Sequence, residues 1–165
     1  MNEIYAEWLV HSRPSMGEKM LGVLLAVLDV LLVAVTLLTF NGIFLFLAII
    51  VIGLSIWRFP LMKTDYEYIF VDGQMDFDCI KGDSKRKNVI RMDFDTVDVV
   101  APKGSHALDS HKNCRVYDFT GKDSSVKTYA IAGKAGDEKV LAYFDPNEKM
   151  LETMKMKSRS KIVEY

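Results

Sequence analysis

From Met20 to Trp57 the chain is almost wholly apolar, and Asp29 is the one ionisable residue in the stretch. From Lys63 onward charges recur every few residues, and apolar positions fall at every second place instead of every third or fourth. A single water-soluble core does not segregate polarity this sharply. The pattern therefore divides the chain into an apolar helical part and a mostly β part. Met20–Phe40 holds 21 residues, enough as a helix to cross a hydrocarbon layer of about 30 Å. Asn41-Gly42 suits a tight reversal. The next apolar run, Ile43–Trp57, reaches spanning length if it continues to Met62 with Arg58 snorkelling toward the headgroups. The reading is a transmembrane hairpin over 15–62, with helices at 20–40 and 43–62 and a turn at 41–42. Ser15-Met16-Gly17-Glu18 has the spacing of a capping box that would start the first helix. A cleaved signal peptide fits poorly, because a second apolar run follows at once with no small-x-small site between them.

The alternating part predicts seven short strands: 64–71, 74–80, 85–94, 96–102, 114–119, 126–132 and 139–144. Asp72-Gly73 is a two-residue hairpin signal. "KGDS", "TGKDSS" and "GKAGDE" are turn compositions, and Pro102 leads into the longer loop "KGSHALDSHKN". Asp145-Pro146-Asn147-Glu148 reads as an N-cap at Asp145 with Pro at the first helical position. Met150, Leu151 and Met154 follow at helical spacing, so a C-terminal helix over 146–157 closes a β domain spanning 63–157 and leaves 158–165 as a tail. Seven closely spaced strands suggest a sandwich or barrel. Ahead of the hairpin, Ile4, Tyr5, Trp8 and Leu9 can share one side of a short helix. That makes 1–14 an amphipathic segment lying in the membrane interface, or alternatively one packed on the β domain.

Charge orients these parts. Arg13 and Lys19 precede the first apolar helix, Arg58 and Lys63 close the second, and the turn between them carries no basic residue. The positive-inside rule then puts both termini and the β domain in the cytoplasm of a multi-pass cell-membrane protein. Two cysteines, Cys79 and Cys114, fit reduced cytosolic thiols. A formal net charge of −1 argues against nucleic acid as a partner.

"EIYAEWLV…RPSMG", "GSHALDS" and "PNEKMLETMKMKS" resemble a family of small two-helix bacterial membrane proteins from Gram-positive anaerobes. The strand series closed by one helix is similar to the bacterial pleckstrin-homology-like (PH-like) fold. The resemblance implies a PH-like domain behind a membrane hairpin, and it carries over no catalytic residue.

Three groups are candidates for function. Asp29 heads a small, polar stripe of Gly22, Ala26, Val33 and Thr36. A hairpin turning at 41–42 brings it level with Ser55 and one turn from Arg58, and either partner would offset the cost of an acid at mid-bilayer. A contact between copies of the chain, or ion or proton handling, is the alternative use of this stripe. His106, Asp109, His111 and Cys114 have metal-ligating side chains, but their spacing matches no common site, so a solvated loop is the first reading and a metal-dependent enzyme a remote one. Lys81, Lys85, Arg86, Lys87 and Arg91, diluted by Asp76, Asp78, Asp83 and Asp93, read first as an ordinary charged surface, with contact to anionic lipid or a specific anion as the alternatives. No phosphate loop, nucleophile elbow or paired-acid pattern occurs, and no cofactor is implied. The function that follows is a membrane-anchored binding or scaffolding module with a protein or lipid partner. An oligomerising accessory subunit of a membrane or transport complex is the alternative.

Overall fold

The computed structural model describes residues 4–14, 16–61, 64–82 and 85–163, with the backbone alone at 58–61. The chain forms two compact units, one of residues 13–64 with 81–83 and the other of residues 1–12, 65–80 and 84–165.

The first unit is a pair of helices, α1 (Met16–Thr39) and α2 (Gly42–Leu61). α1 is long and apolar enough to cross a membrane, with a mean hydropathy of 2.8. In α2 the apolar run Gly42–Trp57 is shorter. Phe40 adopts a positive φ of 46°, and the Asn41 side chain accepts from the Ile43 amide at 3.0 Å, ending one helix and capping the next. The two helices meet along a seam. On α1 the half-buried positions are Glu18, Gly22, Leu25, Asp29, Leu32, Val35 and Thr36, and on α2 the half-buried or buried ones are Phe44, Ala48, Val51, Ile52 and Ser55. Spacings alternating between three and four are those of helices packed ridge into groove at a small crossing angle. Leu25 and Leu32 therefore take the places expected for Ala26 and Val33. The other faces carry exposed apolar side chains such as Leu24, Leu31, Leu38, Ile49 and Ile56. Ser15 and Lys63 lie outside the described residues, as does the side chain of Arg58, so the expected capping box and the Asp29–Arg58 contact do too.

Among the described residues the second unit holds eight strands, one more than the pattern predicts, in two four-stranded sheets. The first sheet runs β1 (Tyr5–His11), β2 (Thr64–Val71), β3 (Gln74–Lys81), β4 (Lys85–Asp93) in that order. The second contains β5 (Val97–Pro102), β6 (Arg115–Asp118), β7 (Tyr129–Ala135) and β8 (Glu138–Phe144), in the order β5-β7-β8-β6. β6 lies parallel to β8 at the sheet's edge. The extra strand is β1, where a short helix was expected. It pairs antiparallel with β2, from Tyr5 opposite Val71 to His11 opposite Asp65. Ala6, Trp8 and Val10 alternate with Tyr5, Glu7, Leu9 and His11, a period of two that "NEIYAEWLVH" carries as well as the helical one. An apolar β2 waiting for an edge partner decides between the two periods.

The sheets enclose one aromatic core. Tyr68, Phe77 and Phe144 meet edge to face with centroids 5.6 Å apart, and Phe119 stacks on Phe77 at 4.8 Å. Asp72 (φ 48°) and Gly73 (φ 95°) make the tight β2–β3 turn. α3 (Glu148–Ser158) buries Met150 and Met154 completely in this core. Its N-cap is Asn147, which accepts from the Met150 amide at 2.8 Å, not Asp145 as expected. Asp145 is drawn inward instead, to a site described below. The tail docks as well: Val163 donates to Val100 O at 2.8 Å, and Lys161 Nζ donates to Phe94 O at 2.7 Å.

β7 is buried on both faces. Its Ile131 enters the aromatic core, while Ala130 and Ala132 join Ala101 and Leu141 in a second, smaller core on the opposite face. Leu108, from a 3₁₀ turn at His106–His111 inside the long loop, covers that second core. Alanine at 101, 130 and 132 leaves the space that Leu108 fills.

Candidate functional site

The loop 103–113 closes the fold over its second sheet, and its polar residues serve that closure. Ser105 caps the 3₁₀ turn by accepting from the Ala107 amide at 3.3 Å. His106 Nδ1 lies 3.1 Å from Asp109 Oδ2, and Lys112 Nζ lies 2.8 Å from Asp109 Oδ1. Lys112 first and His106 second hold the Asp109 carboxyl below its ordinary range. His111 turns away to Asp98, with Nε2 3.1 Å from Oδ2, and Cys114 lies against the small core. The four proposed metal-ligating residues are thus divided among separate contacts. Among the described residues no group of three or more acids, histidines or cysteines is placed to hold a metal.

The basic group around β3 and β4 divides too. Arg91 makes a two-pronged contact with Asp76, at 2.6 and 2.8 Å. Arg86 Nε reaches Asp78 at 2.5 Å and a second guanidinium nitrogen lies 2.7 Å from Glu67. Both arginines are neutralised by their own sheet. Lys81, Lys85 and Lys87 are exposed and form no ion pair among the described residues.

Across the outer face of the first sheet these contacts build a polar ladder: Tyr5 and Glu7 on β1, Glu67 on β2, Asp78 on β3, Arg86 and Asn88 on β4. Asn88 Nδ2 donates to Asp78 at 2.7 Å, and the Tyr5 hydroxyl donates to Glu7. Burial raises the Glu67 carboxyl above its ordinary range, and a shared hydrogen bond with Glu7 adds to the effect. The Tyr5 hydroxyl, then Glu67, hold Glu7 below its own range. Two neighbouring carboxyls sharing a proton titrate apart in this way.

The other notable place lies at the free edge of β1. A cavity of about 400 Å³ is lined there by Trp8, Leu9, Val10 and His11 on one side, and by Gly121, Asp123, Val126 and Asp145 on the other. Its depth rests on a buried knot. Tyr68 is fully buried; its hydroxyl donates to Phe119 O at 2.5 Å and accepts from the Asp145 amide at 3.3 Å. Burial pushes this phenol far above its ordinary range, so it stays a donor. The Asp145 carboxylate, 2% exposed, accepts from Gly121 N at 2.8 Å and Thr128 Oγ1 at 2.7 Å. A Cβ on Gly121 would stand 2.7 Å from Val10 Cγ1, so only glycine lets this loop come so close to β1. Sequence reasoning missed the cavity because one wall was read as a helix and the other as separate pieces, a turn at Gly121 and Asp123, a strand start at Val126 and a helix cap at Asp145. The signal that could have found it is the alternation of Ala6, Trp8 and Val10.

In the hairpin, Asp29 and Ser55 both lie on the seam, and Ser55 is 3% exposed. Asp29 Oδ1 and Ser55 Oγ are buried without a hydrogen-bond partner among the described residues. The other seam hydroxyl, Thr36 Oγ1, is satisfied by Leu32 O at 2.8 Å.

Strands forming two sheets, closed by a C-terminal helix and interrupted after the first strand by an apolar helix pair, define a PH-like protein, a class made up generally of non-catalytic binding modules. The chain belongs to the bacterial PH-like domain family (DUF6106), whose family model matches residues 2–164. No curated protein and no solved structure matches it.

Proposed function

We propose that this chain is a membrane-anchored binding module, with α1 and α2 crossing the bilayer as a hairpin and the PH-like unit presented to a protein partner in the cytoplasm. The observation that carries this reading is the helix pair's surface. α1 has no buried side chain and exposes Leu and Val around its outer face, and α2 exposes Leu, Ile and Phe. In water that area would be a severe liability, whereas in lipid it is the ordinary state of such a helix. Basic residues at 13, 19, 58 and 63, with none in the turn, support cytoplasmic termini. Exposed Lys81, Lys85 and Lys87 support an accessory contact with anionic lipid. The seam occupies the Asp29 stripe with α2, which favours a contact within the hairpin over one between copies.

The test has two arms. In intact cells, a membrane-impermeant thiol reagent should label Asn41→Cys, while a tag at Tyr165 should stay inaccessible until the membrane is opened. Affinity capture from native membranes should recover a stoichiometric protein partner. An externally accessible C-terminal tag, release of the chain by carbonate, or capture of the chain alone would refute the proposal.

A further inference from the structure

We infer that the cavity beside β1 is a strand-addition site, which takes an extended, basic peptide segment of the partner as a new edge strand. This deepens the binding-module reading and rests on it. The argument begins with register. Asp72 N donates to Ile4 O at 2.9 Å, which makes Ile4 and Asp72 a hydrogen-bonded pair of the antiparallel ladder. Such pairs alternate along the strand, so Ala6, Trp8 and Val10 bond to β2, while Tyr5, Glu7, Leu9 and His11 turn their backbone N–H and C=O outward. β1 is terminal in its sheet, and among the described residues none bonds the outward groups of Leu9.

Most proteins blunt such an edge with charge, proline or a covering loop. Here the covering loop comes closest to β1 at Gly121, near Val10 and His11, α3 also packs against β1, and the cavity lies beside Trp8 and Leu9. Four consecutive residues of β1 line it, as happens when a strand is approached along its edge instead of through one face. Trp8 and Leu9, about 40% exposed, and Val126, 43% exposed, supply apolar walls for alternate side chains of an added strand.

Charge selects the occupant. Asp145, at the cavity's depth, receives its hydrogen bonds from a neutral amide and a neutral hydroxyl, and no cation pairs with it among the described residues. A lysine or arginine in the incoming strand would answer this buried carboxylate.

The full chain in lipid nanodiscs is the material for the test, and an eight-residue alternating Lys-Val peptide is the probe. Amide hydrogen exchange should slow about tenfold at Leu9 and Glu7 when the peptide binds, with Ala6, Trp8 and Val10 unchanged because β2 already protects them. Leu9→Pro removes an outward donor and no bond to β2. It should weaken the peptide about fivefold, the size of one net hydrogen bond. N-methylating alternate peptide amides should abolish binding to the unaltered chain, and a Glu-Val peptide should bind more weakly than Lys-Val. Equal binding of the N-methylated or Glu-Val peptides, or no slowing at Leu9, overturns the site. So does protection of Leu9 before any peptide is added, which would mean that a second copy occupies the edge. Capture of a partner that binds Leu9→Pro undiminished leaves the binding module standing and removes this inference alone.

Discussion

Tyr68→Phe removes one oxygen from the interior and changes almost no volume, so its cost isolates the knot that ties β2 to the Phe119–Gly121 segment. The lost hydroxyl leaves Phe119 O without a 2.5 Å donor and the Asp145 amide without its 3.3 Å acceptor, at residues 3% and 2% exposed. A buried group left unsatisfied costs about 1–3 kcal/mol, and the longer bond contributes at the low end. Relief from burying the hydroxyl itself offsets part of this. The net expectation is a loss of about 2 kcal/mol, or roughly 8 °C in Tm for a unit of this size. The assay is urea unfolding of the full chain in mild detergent, in a Trp57→Phe background so that Trp8 alone reports on the PH-like unit. Tyr129→Phe is the control, because the Tyr129 hydroxyl makes no hydrogen bond among the described residues; it should shift stability by less than about 0.5 kcal/mol. A Tyr68→Phe loss no larger than that control would refute the reasoning, since it would mean the abandoned carbonyl and amide are satisfied some other way.

Glu67 supplies a pH prediction. Its carboxyl is raised in the folded state, chiefly by burial, so the stability this group contributes is complete below the ordinary glutamate range and is lost as pH rises through the raised value. Glu67→Gln, which mimics the protonated form, should therefore be more stable than the unaltered chain at neutral pH, with the gain vanishing in acid; urea midpoints measured from acid to neutral pH would expose the opposite sign. Leu108→Ala opens a hole over the second core and should cost about 2–3 kcal/mol in the same unfolding assay, whereas an exposed loop residue would cost almost nothing. In the hairpin, Ala48→Leu forces a large side chain into the seam and should reduce thiol crosslinking between cysteines placed on α1 and α2, while Ile49→Leu on the outer face should leave it unchanged.

The sequence alone determined the helix pair, the reversal at Asn41-Gly42, the Asp72-Gly73 turn, most strands and the closing helix. Each is written in local terms: a run of apolar residues, a pair of residues that accept positive φ, or a period of two. Tertiary structure decided the rest. "NEIYAEWLVH" carries a helical and a strand period at once, and β2's unpaired side selects the strand. Asp145 stands where a helix cap is expected, yet Gly121 and Thr128, 24 and 17 residues upstream, offer it buried donors, so Asn147 takes over the cap. The histidine loop reads as solvated because nothing near it in sequence says that Ala101, Ala130 and Ala132 converge beneath Leu108. The candidate site has the same character. Its walls come from chain positions more than a hundred residues apart, and the free backbone groups that define it are chemically the same in every residue, so only the pairing of strands shows which of them are left open.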